Sequence, residues 1–532
     1  MTTTSNVLYA SQARPWLKYY DPNYIDQPMP ECSAFDFVRQ QNKNRLSETA
    51  LEYYGRKFTY ADFIVNTKKT AAAFRAAGVR KGDIITVVSV MTPEVIYAFY
   101  AADRIGATLN LVDPRYSADG IHEYIEEVDS HLLICLNVVY DRCRQAARRT
   151  HVERVIVLSP ADSLPLPLAI GYKVSNPDRN KYDSNTLMWK QFIANGQDAS
   201  TSGEPYDPDH ACVVVHTGGT TGSPKGVMLT HAALCAQVDI SASIFPVDGE
   251  DTFLSVLPLS HTYECSIGMI YPFSMGARVV YLDRPPTASA LMPALRAIRP
   301  TVMLIVPLII EKIYRHQVLA KFNSNSFWRT LYRIGFMRRY LHRVAGGKLM
   351  KLFGGRLRFL GIGGAKLDGG AEKFLLEARV PYAIGYGLTE TAPLLAGAAP
   401  SMVRLGSTGP QAPGVELRLE NVNPETRQGE IVARTPSAMV GYFKNPEATK
   451  EVFTADGWFR TGDLGELDKD GWLYIKGRLK NMIVGPGGEN IYPEDIETVL
   501  NSHVCIADSI VTEQEGRLIA LVHFNREEIE SM

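Results

Sequence analysis

Residues 217–226 read Thr-Gly-Gly-Thr-Thr-Gly-Ser-Pro-Lys-Gly, and they follow an apolar run, 211–216, that predicts a buried strand. Thr230, a few residues downstream, is a typical N-cap for a helix that begins at His231. Glycines let backbone N–H groups approach an anion closely, and the hydroxyl groups and Lys225 add donors and a positive charge. We therefore expect a polyphosphate-binding loop between a strand and a helix. The alternative is a glycine-rich surface turn that binds nothing.

This loop differs from the Walker A loop. Lys225 follows Pro224 and precedes Gly226, whereas a Walker A lysine follows glycine and precedes serine or threonine. A phosphate role for residues 217–226 therefore needs support from elsewhere in the chain.

Further motifs follow the loop in a fixed order. They are Gly363-Gly-Ala365, Tyr386-Gly-Leu-Thr-Glu390, Gly457-Trp-Phe-Arg-Thr-Gly-Asp463 and Gly477-Arg-Leu-Lys480. With the loop, they make the chain resemble the AMP-forming adenylate synthetases, which include acyl-CoA synthetases, luciferases and peptide-synthetase adenylation domains. The resemblance extends from about Ser33 to the last residue.

The resemblance implies ATP-dependent activation of a carboxylic acid to acyl-AMP with release of pyrophosphate, followed by transfer of the acyl group to CoA. It also implies ATP, Mg²⁺ and CoA as cofactor and co-substrates. Two alternatives stay open at this point. One is an acyl-AMP ligase that loads a carrier protein, and the other is a catalytically impaired relative that only binds a nucleotide or an acyl group.

The resemblance also assigns roles to individual residues. A catalytic set is implied at Thr217, Lys225, His261, Thr389 and Glu390, with Glu390 as the Mg²⁺ ligand, Thr389 on the α-phosphate and His261 as a gate for the thiol. The nucleotide would be held by Thr217, Gly218, Gly219, Thr220, Thr221 and Gly222 at the phosphates, Gly363, Gly364, Ala365, Tyr386 and Gly387 at adenine, and Asp463 and Arg478 at ribose, with Lys480 as a hinge. Taken singly, these residues also fit turns, solvated cations and a buried structural histidine.

The length of 532 residues requires more than one domain. Strand patterns at 83–90, 107–112, 155–158, 212–215, 252–257 and 279–282 alternate with helical patterns, such as the one that opens at Thr59-Tyr-Ala-Asp62. This order predicts an α/β fold with parallel sheets covered by helices on both faces. The segment 160–208 is rich in Pro, Asn, Asp and Ser, and predicts a loop or a boundary between two sheets.

From about 405 the pattern changes to short strands with turns, at 415–419, 430–433 and 472–475. Together with the resemblance, this predicts a large N-terminal domain over 1–478, made of two α/β/α subdomains and a β-rich subdomain at about 400–478. A small α+β domain over 479–532 would follow. No lysine follows Lys480, although the resemblance implies a lysine near the end of that domain. We therefore expect a truncated small domain rather than a degenerate one.

The segment Ser260–Ser266 lacks the aspartate with which amino-acid-activating relatives bind an α-amino group. A simple carboxylic acid is therefore expected. Residues 257–264 and 482–493 resemble bacterial long-chain fatty-acid–CoA ligases, which implies a medium- to long-chain fatty acid.

Composition narrows the class of partner and compartment. A net charge of −1 gives no general attraction to nucleic acid. The seven cysteines form no CxxC pair, so neither a disulfide framework nor a zinc site is predicted, and a reducing cytoplasm is expected. The N-terminus lacks a signal-peptide pattern, and the longest apolar run, 302–310, is too short to span a bilayer.

One surface feature does not depend on the resemblance. Between Glu311 and Asp368 the sequence has thirteen Lys or Arg residues and no acidic residue. Apolar residues recur there at helical spacing, namely Phe327, Leu331, Ile334, Met337, Leu341 and Val344, flanked by Arg329, Arg333, Arg338, Arg339 and Arg343. A basic amphipathic helix over 325–345 would fit peripheral contact with an anionic membrane. A helix packed on its own domain, or one that attracts the phosphates of CoA, fits the pattern as well. The oligomeric state is not predicted.

Overall fold

The computed structural model of the protein describes residues 13–25, 30–178, 181–217, 225–282, 287–484, 490–501, 503, 505–514, 517–524 and 529. In chain order, the strands are β1 Thr49–Tyr53, β2 Arg56–Thr59, β3 Ile84–Val88, β4 Thr108–Val112, β5 Leu132–Leu136, β6 Arg154–Leu158, β7 Thr186–Met188, β8 Ala211–His216, β9 Gly226–Thr230, β10 Thr252–Ser255, β11 Arg278–Tyr281, β12 Val302–Ile305, β13 Phe359–Ile362, β14 Tyr382–Ile384, β15 Tyr386–Gly387, β16 Leu394–Ala396, β17 Gly409–Pro410, β18 Glu416–Glu420, β19 Gly429–Arg434, β20 Gly441–Tyr442, β21 Phe459–Leu467, β22 Trp472–Arg478, β23 Ile483–Val484, β24 Asn490–Ile491, β25 Ile506–Gln514 and β26 Arg517–Phe524.

The α-helices are α1 Ala34–Gln41, α2 Tyr60–Ala76, α3 Pro93–Arg104, α4 Ala118–Val128, α5 Tyr140–Ala147, α6 Leu166–Ser175, α7 Trp189–Asn195, α8 His231–Ile244, α9 Tyr271–Met275, α10 Ala288–Ile298, α11 Pro307–Ile313, α12 Ala320–Asn323, α13 Ser326–Arg333, α14 Gly335–Leu352, α15 Gly369–Ala378, α16 Pro446–Val452 and α17 Pro493–Asn501. π-helical turns cover Tyr263–Ile270 and Tyr314–Leu319.

Two large sheets carry the α/β part of the fold. One has eight strands in the order β20-β9-β8-β4-β3-β5-β6-β7, and the other has seven in the order β14-β13-β12-β10-β11-β1-β2. Their central strands are parallel, as in the pair β3 and β4, where Val88 lies opposite Val112. Antiparallel strands occur at β9 and β20 in the first sheet and at β2 in the second. The predicted α/β class is confirmed.

The predicted β-rich segment folds into a separate antiparallel sheet, in the order β17-β22-β21-β19-β18. Beyond residue 478, the described part contains the hairpin β25–β26 and the helix α17. Val511 N donates to Glu497 Oε1 at 2.8 Å, which joins this hairpin to α17. The domain boundary between 478 and 479 stays a prediction.

Local signals in the sequence explain several helix ends. Thr59 and Asp62 form the predicted capping box at the start of α2, and Gly78, just beyond its end, has φ = +95°. Thr230 caps α8 by accepting a hydrogen bond from Ala233 N at 3.1 Å. α3 is buried on all its sides, which agrees with its largely apolar sequence.

The prediction of a loop or boundary over 160–208 was wrong in part. This segment contains α6, β7 and α7, and β7 extends the eight-stranded sheet by pairing in parallel with β6. Trp189 and Phe192 of α7 are buried. The polar and turn-forming residues of the segment lie mainly between these short elements. The composition averaged over the whole segment therefore did not reveal the helices and the strand.

The buried apolar residues form two clusters. The larger runs through the eight-stranded sheet, β1, β11 and the antiparallel sheet. The smaller lies between β12–β14 and the helices α10, α11, α14 and α15, and includes Ile305, Leu341, Leu349 and Phe374. α14 is therefore part of the layer that covers one face of the seven-stranded sheet.

Candidate active site

The glycine-rich loop begins at the end of β8 and returns along β9. Thr217 N donates to Lys225 O at 3.1 Å, and Lys225 N donates to Thr217 Oγ1 at 3.3 Å. The expected loop between a strand and a helix therefore joins two antiparallel strands, and α8 begins only after β9. Residues 218–224, which include the predicted Gly218, Gly219, Thr220, Thr221 and Gly222, lie outside the described residues.

Glu127 of α4 holds both ends of this loop. Its Oε1 accepts a hydrogen bond from Gly226 N at 3.2 Å, and its Oε2 lies 3.0 Å from His216 Nε2. Sequence reasoning missed Glu127, since it lies far from the loop along the chain and belongs to no motif. A carboxylate paired with His216 and with a backbone N–H fixes where the loop leaves and re-enters the sheet.

Lys225, Tyr442 and Glu390 form a connected group beside the loop. Lys225 Nζ lies 4.8 Å from the centre of the Tyr442 ring, and Tyr442 OH donates to Glu390 Oε1 at 2.8 Å. Burial, together with the neighbouring Glu390 carboxylate, raises the pKa of Tyr442, so its hydroxyl stays a donor at neutral pH. β20 brings Tyr442 here because Gly441 pairs with Met228 of β9.

A second group joins Tyr386 to the antiparallel sheet. Tyr386 OH donates to Asp463 Oδ2 at 2.8 Å, and Arg478 Nε lies 2.9 Å from Asp463 Oδ1. Asp463 and Arg478 are opposite one another in the β21–β22 ladder, which is why residues of two separate motifs meet. Burial, followed by the Asp463 charge, raises the pKa of Tyr386 well above its usual value.

The segment between Tyr386 and Glu390 is held by tight backbone packing. A Cβ atom at Gly387 would lie 1.8 Å from Pro393 O, so only glycine fits there. The side chain of Gln237 donates to Thr391 O at 3.1 Å and accepts from Leu394 N at 3.2 Å. Thr389 and Glu390 occupy a short 3₁₀ turn inside this framework.

The predicted Gly363–Ala365 motif directly follows β13. Gly363 N donates to Ile305 O at 3.2 Å, and Gly364 has φ = +88°, a conformation that favours glycine. A Cβ at Gly363 would lie 3.4 Å from the Tyr263 ring. The motif therefore lies against Tyr263, at the same end of the sheet as β14, which leads into Tyr386.

Burial raises the pKa of both Tyr386 and Tyr442, and the charge of Arg478 lowers both slightly. Lys225, at the end of the glycine-rich loop, lies beside the segment Tyr386–Glu390, because Lys225 contacts Tyr442 and Tyr442 is hydrogen-bonded to Glu390. We call these two groups of residues together the polar cleft.

An apolar cavity of about 60 Å³ lies next to this cleft. Its lining includes Ile244, Phe245, Tyr263, Leu304, Phe359 and Gly385. Gly385 immediately precedes Tyr386, and Tyr263 also contacts Gly363, so the cavity borders the polar cleft. Behind it, burial raises the pKa of Glu264 to about 7, and a hydrogen bond from Ser255 partly offsets this effect.

Within the part of the chain that the structure describes, no side-chain hydrogen bond or ion pair joins His261 or Lys480 to these groups, and the roles predicted for both stay predictions. Burial lowers the pKa of His261; the Asp113 carboxylate opposes this effect, and the Arg115 charge adds to it. Arg115 pairs with Asp113 at 2.5 Å, a feature that the sequence did not reveal. Lys480 is exposed in the turn Leu479–Asn481 that follows β22.

The chemistry of the donors at the cleft fits a magnesium ion. Mg²⁺ in proteins is bound through one or two carboxylates together with substrate phosphates. Glu390 offers such a carboxylate, and one of its oxygens already accepts from Tyr442, which fixes its orientation. Glu390 would hold the ion, and the ion would neutralise phosphate charge.

The family of AMP-binding enzymes matches residues 37–443, which include the loop, Gly363–Ala365 and Tyr386–Glu390. The chain belongs to the AMP-binding enzyme family. Over 519 residues it is 26% identical to the long-chain-fatty-acid–CoA ligase of Bacillus subtilis (strain 168), covering 94% of this chain and 86% of the relative. It is 30% identical over 493 residues to long chain acyl-CoA synthetase 1 of Arabidopsis thaliana, covering 85% of this chain and 71% of the relative.

Among solved structures, the fold is similar to that of the anthranilate CoA ligase AuaEII in complex with anthranoyl-AMP. The TM-score is 0.75 at 18% identity, with 95% of this chain and 90% of the other covered. Acyl- or aryl-CoA ligase chemistry through an adenylate, with ATP and CoA as substrates, is the activity that membership of this family supports. Within the described residues, no helix is both long and apolar enough to cross a membrane.

Proposed function

We propose that this protein activates a medium- to long-chain fatty acid as its acyl-adenylate and then transfers the acyl group to CoA. A carboxylate oxygen would attack the α-phosphorus of ATP as the bond to pyrophosphate breaks. The thiol sulfur of CoA would then attack the acyl carbon, and AMP would leave. The observation that carries this proposal is the polar cleft, built from Lys225, Tyr442 and Glu390 on one side and Tyr386, Asp463 and Arg478 on the other, with an apolar cavity at its border.

Each side of the cleft suits one part of the nucleotide. Lys225 and a Glu390-bound Mg²⁺ would neutralise phosphate charge where it develops in the transition state. Asp463, already an acceptor for Tyr386 and Arg478, would accept from the ribose hydroxyl groups. The hydrogen bond from the Tyr386 hydroxyl to Asp463 fixes the orientation of the Tyr386 ring. The ring could therefore pack against adenine without a further loss of side-chain entropy.

The apolar lining of the cavity, rather than its volume of about 60 Å³, supports an apolar acyl group. Aliphatic and aromatic side chains form most of its walls. At Gly361 and Gly385 the wall is backbone without a side chain. Tyr263 would meet a Cβ at Gly361 at 2.7 Å, so the walls leave no room for a larger residue there. The two fatty-acid-type relatives are consistent with this choice of substrate.

We also propose the division of the chain at residues 478/479, with Lys480 as the hinge. Arg478 is fixed by Asp463 at the end of β22, whereas Lys480, two residues later, is exposed in a short turn. Such a step from an ion-paired side chain to an exposed one suits a point of rotation.

The test is a screen of carboxylic acids with the purified protein, ATP, Mg²⁺ and hydroxylamine, in which trapped hydroxamate and AMP are measured. Saturated acids from acetate to stearate are compared with benzoate and 4-coumarate. Highest turnover with the longer fatty acids is expected, and preference for an aryl acid would refute the fatty-acid assignment. In a second reaction without hydroxylamine, CoA and a phosphopantetheinylated carrier protein compete as acceptors, and transfer to the carrier protein alone would exclude the CoA ligase.

A further inference from the structure

The outward side of α13 and α14 exposes several large aromatic side chains. Phe327, Phe336 and Tyr340 are 68%, 65% and 62% exposed. In α14, Phe336, Tyr340 and Val344 are four residues apart and so lie along one side of the helix. Single exposed apolar residues are ordinary, but a row of them marks a surface for interaction.

A row of cations runs beside this aromatic row. Arg339 and Arg343 are also four residues apart in α14, and Arg329 and Arg333 repeat that spacing in α13. All four are exposed, and none of them forms an ion pair within the described part of the chain. We call the outward residues of α14 the basic aromatic face: Phe336, Arg339, Tyr340, Arg343 and Val344.

The inward side of α14 shows that this exposure is built into the fold. Arg338 donates to Glu377 of α15 through Nη2 at 2.8 Å, and His342 Nδ1 lies 2.8 Å from the same carboxylate. His342 Nε2 also lies 2.8 Å from Tyr332 OH. Leu341 and Leu349 are buried in the smaller core. α14 therefore has one side fixed to the protein, and the basic aromatic face is its other side.

The structure changes which residues belong to the exposed apolar stripe that the sequence predicts. Leu341 is buried and Leu331 and Met337 are partly buried against the core, as expected for a helix packed on its own domain. Phe327, Ile334 and Val344 of the same stripe are exposed instead. Phe336 and Tyr340, which the predicted stripe did not include, complete the exposed row.

We propose that the basic aromatic face docks the protein on an anionic lipid bilayer. Aromatic side chains favour the headgroup region of a bilayer. There the apolar part of the ring contacts the acyl chains, and a polar group such as the tyrosine hydroxyl contacts water. Arginines on long stems reach the surrounding phosphates. Charges of one sign without fixed partners suit a fluid layer of anionic groups better than a protein surface with a fixed pattern of charges. The inference goes beyond the proposed ligase activity and does not depend on it.

The test is co-sedimentation of the full chain with vesicles, without nucleotide or acyl substrate. Binding is expected with phosphatidylcholine vesicles that contain phosphatidylglycerol. It should weaken with added salt and be much lower with phosphatidylcholine alone. The double variant Arg339→Gln, Arg343→Gln should lower the partition coefficient about 25-fold, at about fivefold for each arginine. Phe336→Ser with Tyr340→Ser should lower it by a similar order.

Two control pairs match these changes elsewhere on the surface. Lys43→Gln with Lys57→Gln removes two exposed cations from other parts of the chain. Leu168→Ser with Ile170→Ser removes exposed apolar residues from α6, which carries a single lysine. Both control pairs should bind vesicles as the unchanged protein does. Circular dichroism and the unfolding temperature confirm that all variants are folded.

Three results would overturn the proposal. The first is absence of binding to anionic vesicles. The second is an equal loss of binding in the control pairs. The third is unchanged vesicle binding in the arginine double variant together with a raised KM for CoA, which would assign the basic aromatic face to recruitment of CoA.

Discussion

The polar cleft and the basic aromatic face contain similar residue types but use them differently. In the cleft, Tyr386, Asp463 and Arg478 are paired with one another, and Lys225 lies over Tyr442. On the basic aromatic face, tyrosine, phenylalanine and arginine point to solvent. Paired groups are fixed before a ligand arrives, which suits selection of a transition state, whereas free groups adapt to a surface without defined geometry. Substitutions in the cleft and on α14 test this difference.

The largest effect is expected from Glu390→Gln. Loss of the carboxylate charge removes the proposed Mg²⁺ ligand, so kcat/KM for AMP formation should fall about 10²- to 10³-fold. Pyrophosphate release measures the effect. Glu447→Gln, which changes an exposed carboxylate on α16, is the control and should have near-normal activity. Equal activity of the two variants would remove Glu390 from the site.

Asp463→Asn should have the next largest effect. It weakens the ion pair with Arg478 and the acceptor for Tyr386, so we expect a 10- to 100-fold rise in KM for ATP, on the order of one lost charged hydrogen bond. Glu466→Gln is a matched control, because Glu466 pairs with Lys476 at 3.0 Å in the same β21–β22 ladder. A similar rise in both variants would point to the ladder rather than to the cleft.

Glu127→Ala tests whether the loop needs its anchor. His216 and Gly226, at the two ends of the loop, would both lose the carboxylate that holds them. We therefore expect the KM for ATP to rise about tenfold, while the KM for the acid changes little. Glu127→Gln retains an acceptor for Gly226 N and should recover part of the loss. If both variants alter the unfolding temperature but neither alters KM, Glu127 is a structural residue only.

The smallest effect concerns the inward side of α14. Burial lowers the pKa of His342, against the opposing effect of Glu377, while Arg338 and Lys373 lower it further. His342 therefore binds a proton at a higher pH in the unfolded chain than in the folded chain. The neutral ring stabilises the fold above the pKa of the unfolded chain, and this stabilisation is lost as the pH falls through the pKa of the folded chain.

Thermal unfolding from pH 8 to pH 5 tests this effect. On acidification, the unfolding temperature of the His342→Gln variant should fall less than that of the unchanged protein. Arg343→Gln, which changes an exposed side chain of the same helix, should follow the unchanged protein. A steeper decline in the His342 variant would contradict the direction given for this pKa.

The sequence by itself determined the fold class and six of the fifteen strands of the two large sheets, because strand and helix patterns repeat with the spacing of βαβ units. It also indicated the family, because five motifs follow one another in the order typical of AMP-forming adenylate synthetases. It predicted that α14 is basic and amphipathic.

Only the tertiary structure decided which residues meet. Asp463 contacts Arg478 through the register of two strands, Tyr442 reaches Glu390 from the edge of another sheet, and Glu127 anchors a loop 90 residues away. It also decided which side of α14 is outward. Helical spacing gives the rows along a helix, but the side that is buried depends on where Glu377 and the smaller core lie, and contacts between distant segments leave no periodic pattern in the chain.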